Sequence, residues 1–228
     1  MKAVIKTAAV VFAIILVFSA LSGASANGAQ TTLEEWASNF NSFKNDTGII
    51  ALTPGTDESK MNFAWLSPAN DFSPQFKISK NAGMDGAVQV KVADSITVTG
   101  SFAHKAAASN LEPNTVYYYS YTEKGVWSTP ESFKTGGGSS FKAILVSDPQ
   151  IGRSGDEKLD EVLLRDSYGW DSTLETALAS NPDINFILSA GDQVETAYTN
   201  TQYNLFLAPE LLRNIPVAAA MGNHDFYF

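Results

Sequence analysis

The stretch FKAILVSDPQ at 141–150 decides the fold, because an apolar run long enough for one short strand ends in Ser147-Asp148-Pro149-Gln150. The same layout returns twice. INFILSA at 184–190 runs into Gly191-Asp192-Gln193-Val194-Glu195, and PVAAAM at 216–221 runs into Gly222-Asn223-His224-Asp225. Short apolar runs bounded by turn residues are expected of buried strands in a parallel sheet. Parallel neighbours need a crossover, and the intervals 148–192 and 192–223 each leave room for a helix. The expected unit is β-α-β-α-β with right-handed crossovers, its polar loops gathered at the carboxyl edge where such sheets bind ligands. Carboxylate and amide oxygens with an imidazole are the donors that a two-metal phosphoester-cleaving site requires. A lone Gly-Asp is commonly a turn, and a lone Asn-His-Asp a polar loop. The reading rests on all three in succession, each after an apolar strand.

The series D-x-Q, G-D-x-x-E and G-N-H-D resembles the calcineurin-like metallophosphoesterase family. The resemblance implies a dinuclear metal centre (Fe, Zn or Mn) with a bridging hydroxide, hydrolysing a small phosphate ester. It assigns Asp148 and Gln150 to the first metal, Asp192 to the bridge between both, and Asn223 to the second. His224 becomes the general acid at the substrate phosphate, with Asp225 as the acceptor that orients its ring. Two positions depart from the family pattern. Gln150 stands where relatives often carry histidine or glycine, which weakens the first metal's ligand set. Glu195 stands where iron-containing purple phosphatases carry a metal-binding tyrosine, so the purple charge-transfer colour is not expected.

Ahead of this half, residues 48–135 change to short strands between Pro, Gly, Asn and Asp clusters, the pattern of a β-sandwich. The best strand candidates are 61–66, 75–78, 87–92, 95–99, 115–121 and 132–134. Leu111-Glu112-Pro113-Asn114-Thr115-Val116-Tyr117 resembles the L-x-P-x-T-x-Y of fibronectin type III domains, and that likeness makes Tyr117 a buried ring whose hydroxyl bonds back to the chain. A sandwich of this kind ahead of the metal motifs narrows the family resemblance to its purple acid phosphatase branch. Trp65 is expected in the sandwich core. Alternation along a strand also places about half of the aromatic run Tyr117, Tyr118, Tyr119, Tyr121 and Trp127 there. His104 has no ligand partner at a recognisable spacing and reads as an ordinary surface or loop histidine. Gly136-Gly137-Gly138-Ser139-Ser140 reads as a flexible linker, and the second domain begins at Phe141.

Between the motifs, 152–169 reads as a solvated polar segment with a short stripe at Leu159, Val162 and Leu163. A helix is predicted over 172–181, capped by Ser172 and Glu175 and closed by Pro182. Another covers 202–213, interrupted near Pro209. Toward the start, Thr32 and Glu35 form a capping-box pattern, with Leu33, Trp36 and Phe40 on one helical face. This arm is expected to pack on something later in the chain.

Residues 1–26 have the layout of a secretory signal peptide: Lys2 and Lys6, an apolar stretch over 8–21, then Ala24-Ser25-Ala26. Its removal takes the net charge from −9 to −11. Such a chain is expected to be exported without a lasting membrane anchor, and its acidity gives no indication of a nucleic-acid partner. Bound metals would invert the charge locally, so the acidity does not argue against a phosphate substrate. With no cysteine there are no disulfides, and stability must come from burial and metal. The resemblance also implies histidine ligands beyond the G-N-H-D loop, whereas the two histidines here are His104 and His224. The reading therefore expects the front part of a longer enzyme, inactive by itself. The alternative is an exported sandwich that serves as a binding or adhesion module beside a relic site.

Overall fold

The computed structural model describes residues 30–226 apart from 47, 69, 72, 99 and 139, so the signal peptide expected at 1–26 lies outside the described residues. Helix α1 (Leu33–Asn45) opens with the capping box of Thr32 and Glu35. It buries Trp36 and Phe40, while Leu33 stays exposed.

Nine strands follow as a sandwich: β1 (Ala51–Pro54), β2 (Met61–Pro68), β3 (Phe76–Ser79), β4 (Val88–Val90), β5 (Ile96–Val98), β6 (Ser101–Ala108), β7 (Val116–Glu123), β8 (Val126–Trp127) and β9 (Glu131–Lys134). One sheet runs β1-β2-β6-β5; the other runs β4-β3-β7, with β8 and β9 both pairing with β7. Period-two patterning explains the core. Met61, Phe63 and Trp65 of β2 point inward, as do Tyr117 and Tyr119 of β7. Phe63 lies 4.5 Å from Phe76, 5.1 Å from Tyr119 and 5.5 Å from Phe133, ring centre to ring centre. Each such ring contributes about 1.5–3 kcal/mol by burial. The Tyr117 hydroxyl accepts the Glu112 N–H at 2.9 Å.

The segment 101–108 overturns one sequence expectation. Its alanines, lysine and histidine have weak strand preference, yet β6 pairs with β2 over its whole length, from Met61↔Ala108 to Pro68↔Ser101. His104, expected at the surface, is consequently fully buried. Ser67 Oγ sits 2.6 Å from its Nε2, and Ser95 Oγ sits 2.7 Å from its Nδ1. Burial holds this imidazole below its ordinary pKa, against an opposing pull from Asp71. A depressed histidine contributes stability that is present above its unfolded pKa near 6.5 and lost as pH falls through the folded value. Thermal melts should therefore show the sandwich weakening below about pH 6.5, and a His104→Gln chain should lose that part of the pH dependence. An identical acid slope in both would remove His104 as its cause.

The second half alternates as expected: β10 (Ala143–Val146), α2 (Asp160–Ala179), β11 (Phe186–Ser189), α3 (Asn200–Leu207), a 3-10 turn (Glu210–Arg213) and β12 (Val217–Ala219). The three strands are parallel in the order β10-β11-β12. Ile187 and Val217 pack with Trp170, Leu174, Leu205 and Phe206 on the helical side. The opposite face is less covered than the sequence suggested: Leu145 is exposed, and its cross-strand partners Leu188 and Ala218 are half-buried. Helix α2 is also longer than predicted. Leu163, Ser167, Trp170, Leu174 and Leu178 form one buried stripe at steps of three and four, so Gly169 and Ser172 lie inside a continuous helix and Ser172 caps nothing.

The arm packs on this half. Trp36 Nε1 donates to Ser167 Oγ at 3.0 Å, and Asn204 Nδ2 donates to the Lys44 carbonyl at 3.1 Å. Sandwich and α/β half also meet directly, the Tyr119 hydroxyl donating to the Arg213 carbonyl at 2.8 Å and Asn214 Nδ2 to the Ser132 carbonyl at 2.8 Å. A cleft of about 280 Å³ lies between them, lined by Met61, Lys134, Phe141, Phe186 and Pro216. It opens at the amino edge of the parallel sheet, away from the polar loops.

Candidate functional site at the carboxyl edge of the sheet

Register decides what comes together. Val146, Ser189 and Ala219 stand side by side at the ends of β10, β11 and β12, so the three polar loops leave the sheet at one level. The first two loops zip along their main chains: Asp148 N donates to Gly191 O at 3.2 Å, and Gln150 N to Asp192 O at 2.9 Å. An isolated parallel bridge, Ile151↔Val194, closes that ladder.

Asp148, Gln150 and Asp192 all occupy the left-handed region, with φ of 55°, 39° and 54°. Aspartate tolerates it, but a glutamine there costs on the order of 1 kcal/mol. Such strain is retained where surrounding bonds over-determine the loop, and the main-chain zipper is that restraint. Gly191, at φ 119°, takes a conformation that an L side chain rarely adopts. The backbones of the second and third loops then touch: a Cβ on Gly191 would stand 2.7 Å from Gly222 N, and one on Gly222 would stand 2.5 Å from Asp192 N and overlap its Oδ1.

Asp225 binds these loops together. Its carboxylate accepts N–H bonds from Asp192 at 2.7 Å, Gln193 at 2.9 Å and Gly222 at 2.9 Å. That placement corrects the expected role of Asp225, whose carboxylate is taken up by three main-chain donors rather than by the His224 ring. The ring is instead met by the second loop, with Nδ1 2.9 Å from the Glu195 carbonyl and 3.4 Å from Glu195 Oε2. Glu195 Oε2 also accepts Gln150 Nε2 at 3.0 Å, and Arg153 lies 3.3 Å from Oε1. Glu195 therefore touches residues of all three motifs. Sequence reasoning had left it without a task, and its position three residues after Asp192 was the available signal. Gln193 was missed as well: buried, it bridges Ser189 Oγ at 2.8 Å and the Ala220 carbonyl at 3.0 Å.

The donor chemistry suits a hard cation in part. Asp192 Oδ1 accepts the His224 N–H at 2.8 Å, and Oδ2 receives no hydrogen bond from a described residue. Asp148 is exposed with Ser147 donating to Oδ2, and Asn223, after β12 on the other side of β11, is exposed at the same sheet edge. Gln150, its amide nitrogen held by Glu195, keeps its oxygen as the remaining donor. Four oxygen-bearing side chains on three adjacent loops thus match what divalent ions take. Two of them are neutral amides, and among the described residues no group of three or more His, Asp or Glu side chains is drawn together to hold a metal. No helix of the described residues is long and apolar enough to cross a membrane.

Comparison with known proteins agrees with this architecture. Residues 48–135 match the family described as Purple acid Phosphatase, N-terminal domain, and residues 141–228 match Calcineurin-like phosphoesterase. Among solved structures, the purple acid phosphatase PPD1 from seeds of yellow lupin (Lupinus luteus) shares the fold with TM-score 0.62 and 17% identity, over 79% of this chain and 36% of that one. A structure described as PhoD matches with TM-score 0.48 and 12% identity, over 88% of this chain and 40% of that one. This chain thus spans well under half the length of either. No curated protein sequence matches it. The chain thus carries a purple acid phosphatase N-terminal domain followed by a calcineurin-like phosphoesterase domain.

Proposed function

We propose that the protein is an exported, metal-dependent phosphoester hydrolase whose dinuclear centre forms on the carboxyl-edge loops and acts on a small phosphate ester. The observation that carries this reading is the convergence of Asp148, Gln150, Asp192 and Asn223 at one register level, with Asp225 locking the loops that bear Asp192 and Asn223. Asp148 and Gln150 would hold one ion, Asn223 the other, and Asp192 both. Iron, zinc or manganese bound there would supply Lewis acidity toward the phosphoryl oxygens and a nucleophile at neutral pH.

The chain's own residues do the rest. With His224 Nδ1 held by Glu195, Nε2 is the ring nitrogen through which a proton would pass to the departing alkoxide. The Nδ1 contact with the Glu195 carbonyl favours the tautomer with its proton on Nδ1. The left-handed turns at Asp148 and Asp192 direct two carboxylates out of one edge before substrate arrives, so little reorganisation accompanies binding. Export follows from the signal-peptide layout at 1–26.

Calorimetry with Mn or Zn on this chain, paired with release of an aryl alcohol from its phosphate by the longer enzyme, tests the reading. Two ions bound per molecule is the expected result for this chain, with metal-dependent turnover in the longer enzyme of which the reading makes it the front part. Fewer than two at saturation would favour an exported binding module beside a relic site.

A further inference from the structure

Helix α2 holds the N-terminal arm through residues four apart on one face, and the middle of these contacts is incomplete. Ser167 accepts the Trp36 indole N–H at 3.0 Å. Glu175 accepts the Thr31 main-chain N–H at 3.1 Å and the Thr31 hydroxyl at 2.7 Å, and beyond it Thr176 accepts Gln30 Nε2 at 3.1 Å. Between them lies Asp171, only 3% exposed, whose Oδ2 is buried without a hydrogen-bond partner among the described residues. A buried carboxylate oxygen left in this state costs more than a lost hydrogen bond when it carries charge.

We propose that Asp171 makes the arm a pH-operated clasp, seated on α2 while the carboxyl carries its proton and loosened when that proton leaves. The surroundings point one way. On its own helix the charged neighbour is Glu175; from the 3-10 turn it is Glu210; from the arm, Thr31 offers only a hydroxyl. No basic group among the described residues acts on it. A protonated Asp171 removes the repulsion from Glu175 and Glu210, whereas an ionised one adds a third negative charge beside them on a side chain that is itself nearly buried. Burial, then Glu175, push this carboxyl up to about 6 against an opposing pull from the Thr31 hydroxyl, with Glu210 adding the smallest push. In an unfolded or detached arm the group returns to the ordinary aspartate range near 3.9. A raised carboxyl contributes its stability fully below the unfolded pKa and loses it as pH rises through the folded one. The clasp therefore loosens between about pH 4 and pH 7, and the opening equilibrium should grow by about 10- to 100-fold.

The junction is placed to matter. The arm supplies Trp36 and Phe40 to the clusters that seat α2 and α3, and Asp166 of α2 accepts the Gly152 N–H at 3.0 Å and the Ser154 N–H at 3.2 Å from the loop after Gln150. An arm that lifts removes packing from the helix that carries this loop.

Hydrogen exchange of the full chain read by mass spectrometry, corrected for intrinsic rates, tests the clasp between pH 4.5 and 7.5. Peptides covering 33–45 should lose protection by tenfold or more as pH rises, while those of β2 and β7 should not follow. Asp171→Asn, which keeps a donor and no charge, should hold the arm at every pH. The indole N–H signal of Trp36 in the unmodified chain gives a second readout that needs no variant, and it should shift with a midpoint near 6. Flat arm protection and a flat Trp36 signal across this range would overturn the proposal. So would an Asp171→Asn chain whose arm opens with pH as the parent's does.

Discussion

Asp225→Ala should lower the melting temperature by about 10 °C and release the exchange protection of residues 190–195. Three main-chain N–H groups, from Asp192, Gln193 and Gly222, converge on one carboxylate that is itself only 9% exposed. Hydrogen bonds to a charged acceptor contribute about 1.5–3 kcal/mol each when broken singly. Three bonds to one group are not additive, and about 4 kcal/mol is a fair total. For a chain of this size each kcal/mol moves the midpoint by about 2–4 °C. Asp225→Asn retains one acceptor oxygen and should fall between parent and alanine. A shift below about 2 °C for the alanine chain would show that the loops hold themselves by the β10–β11 zipper alone.

In the complete enzyme, Asp192→Asn should leave the fold nearly intact and remove the chemistry. The amide oxygen can still accept the His224 N–H now taken by Oδ1, so the loop geometry has no reason to change. What disappears is the negative charge expected to join both metals. Lewis-acid stabilisation is worth several kcal/mol, which corresponds to about three orders of magnitude in rate. A melting temperature within about 2 °C of the parent, with loss of at least one bound ion and of turnover, is the expected combination. Near-normal turnover with two ions retained would rule out the bridging assignment.

The two substitutions separate what the sequence could and could not say. The placement of Asp148, Asp192, Asn223 and His224 on loops at one sheet edge was legible because each follows an apolar run, and pattern plus order along the chain is local information. Asp225 lies in the same motif, but its task was misread. Whether its carboxylate faces a ring or three amides depends on how the third loop crosses the second, a contact between residues more than thirty positions apart. His104 failed for a related reason. Nothing in SFAHKAAA marks a central strand, and only pairing with β2 on one side and β5 on the other buries it. The split of α2 failed the opposite way: Gly169 and Ser172 gave local signals for a boundary, and the buried stripe from Leu163 to Leu178 overrode them. Local chemistry was thus readable and tertiary partners were not.

The phenol of Tyr119 has a consequence for how the molecule comes apart. The ring is fully buried in the sandwich, yet its hydroxyl ends on the Arg213 carbonyl of the other half, and burial raises its pKa far above the ordinary tyrosine range. Separating the halves would strand that hydroxyl at a surface built to be dry and would strip Asn214 from Ser132. The Gly/Ser segment between them is covalently a hinge, but mechanically it carries little: a chain nicked there would remain one particle, and heat would melt both halves in a single cooperative step.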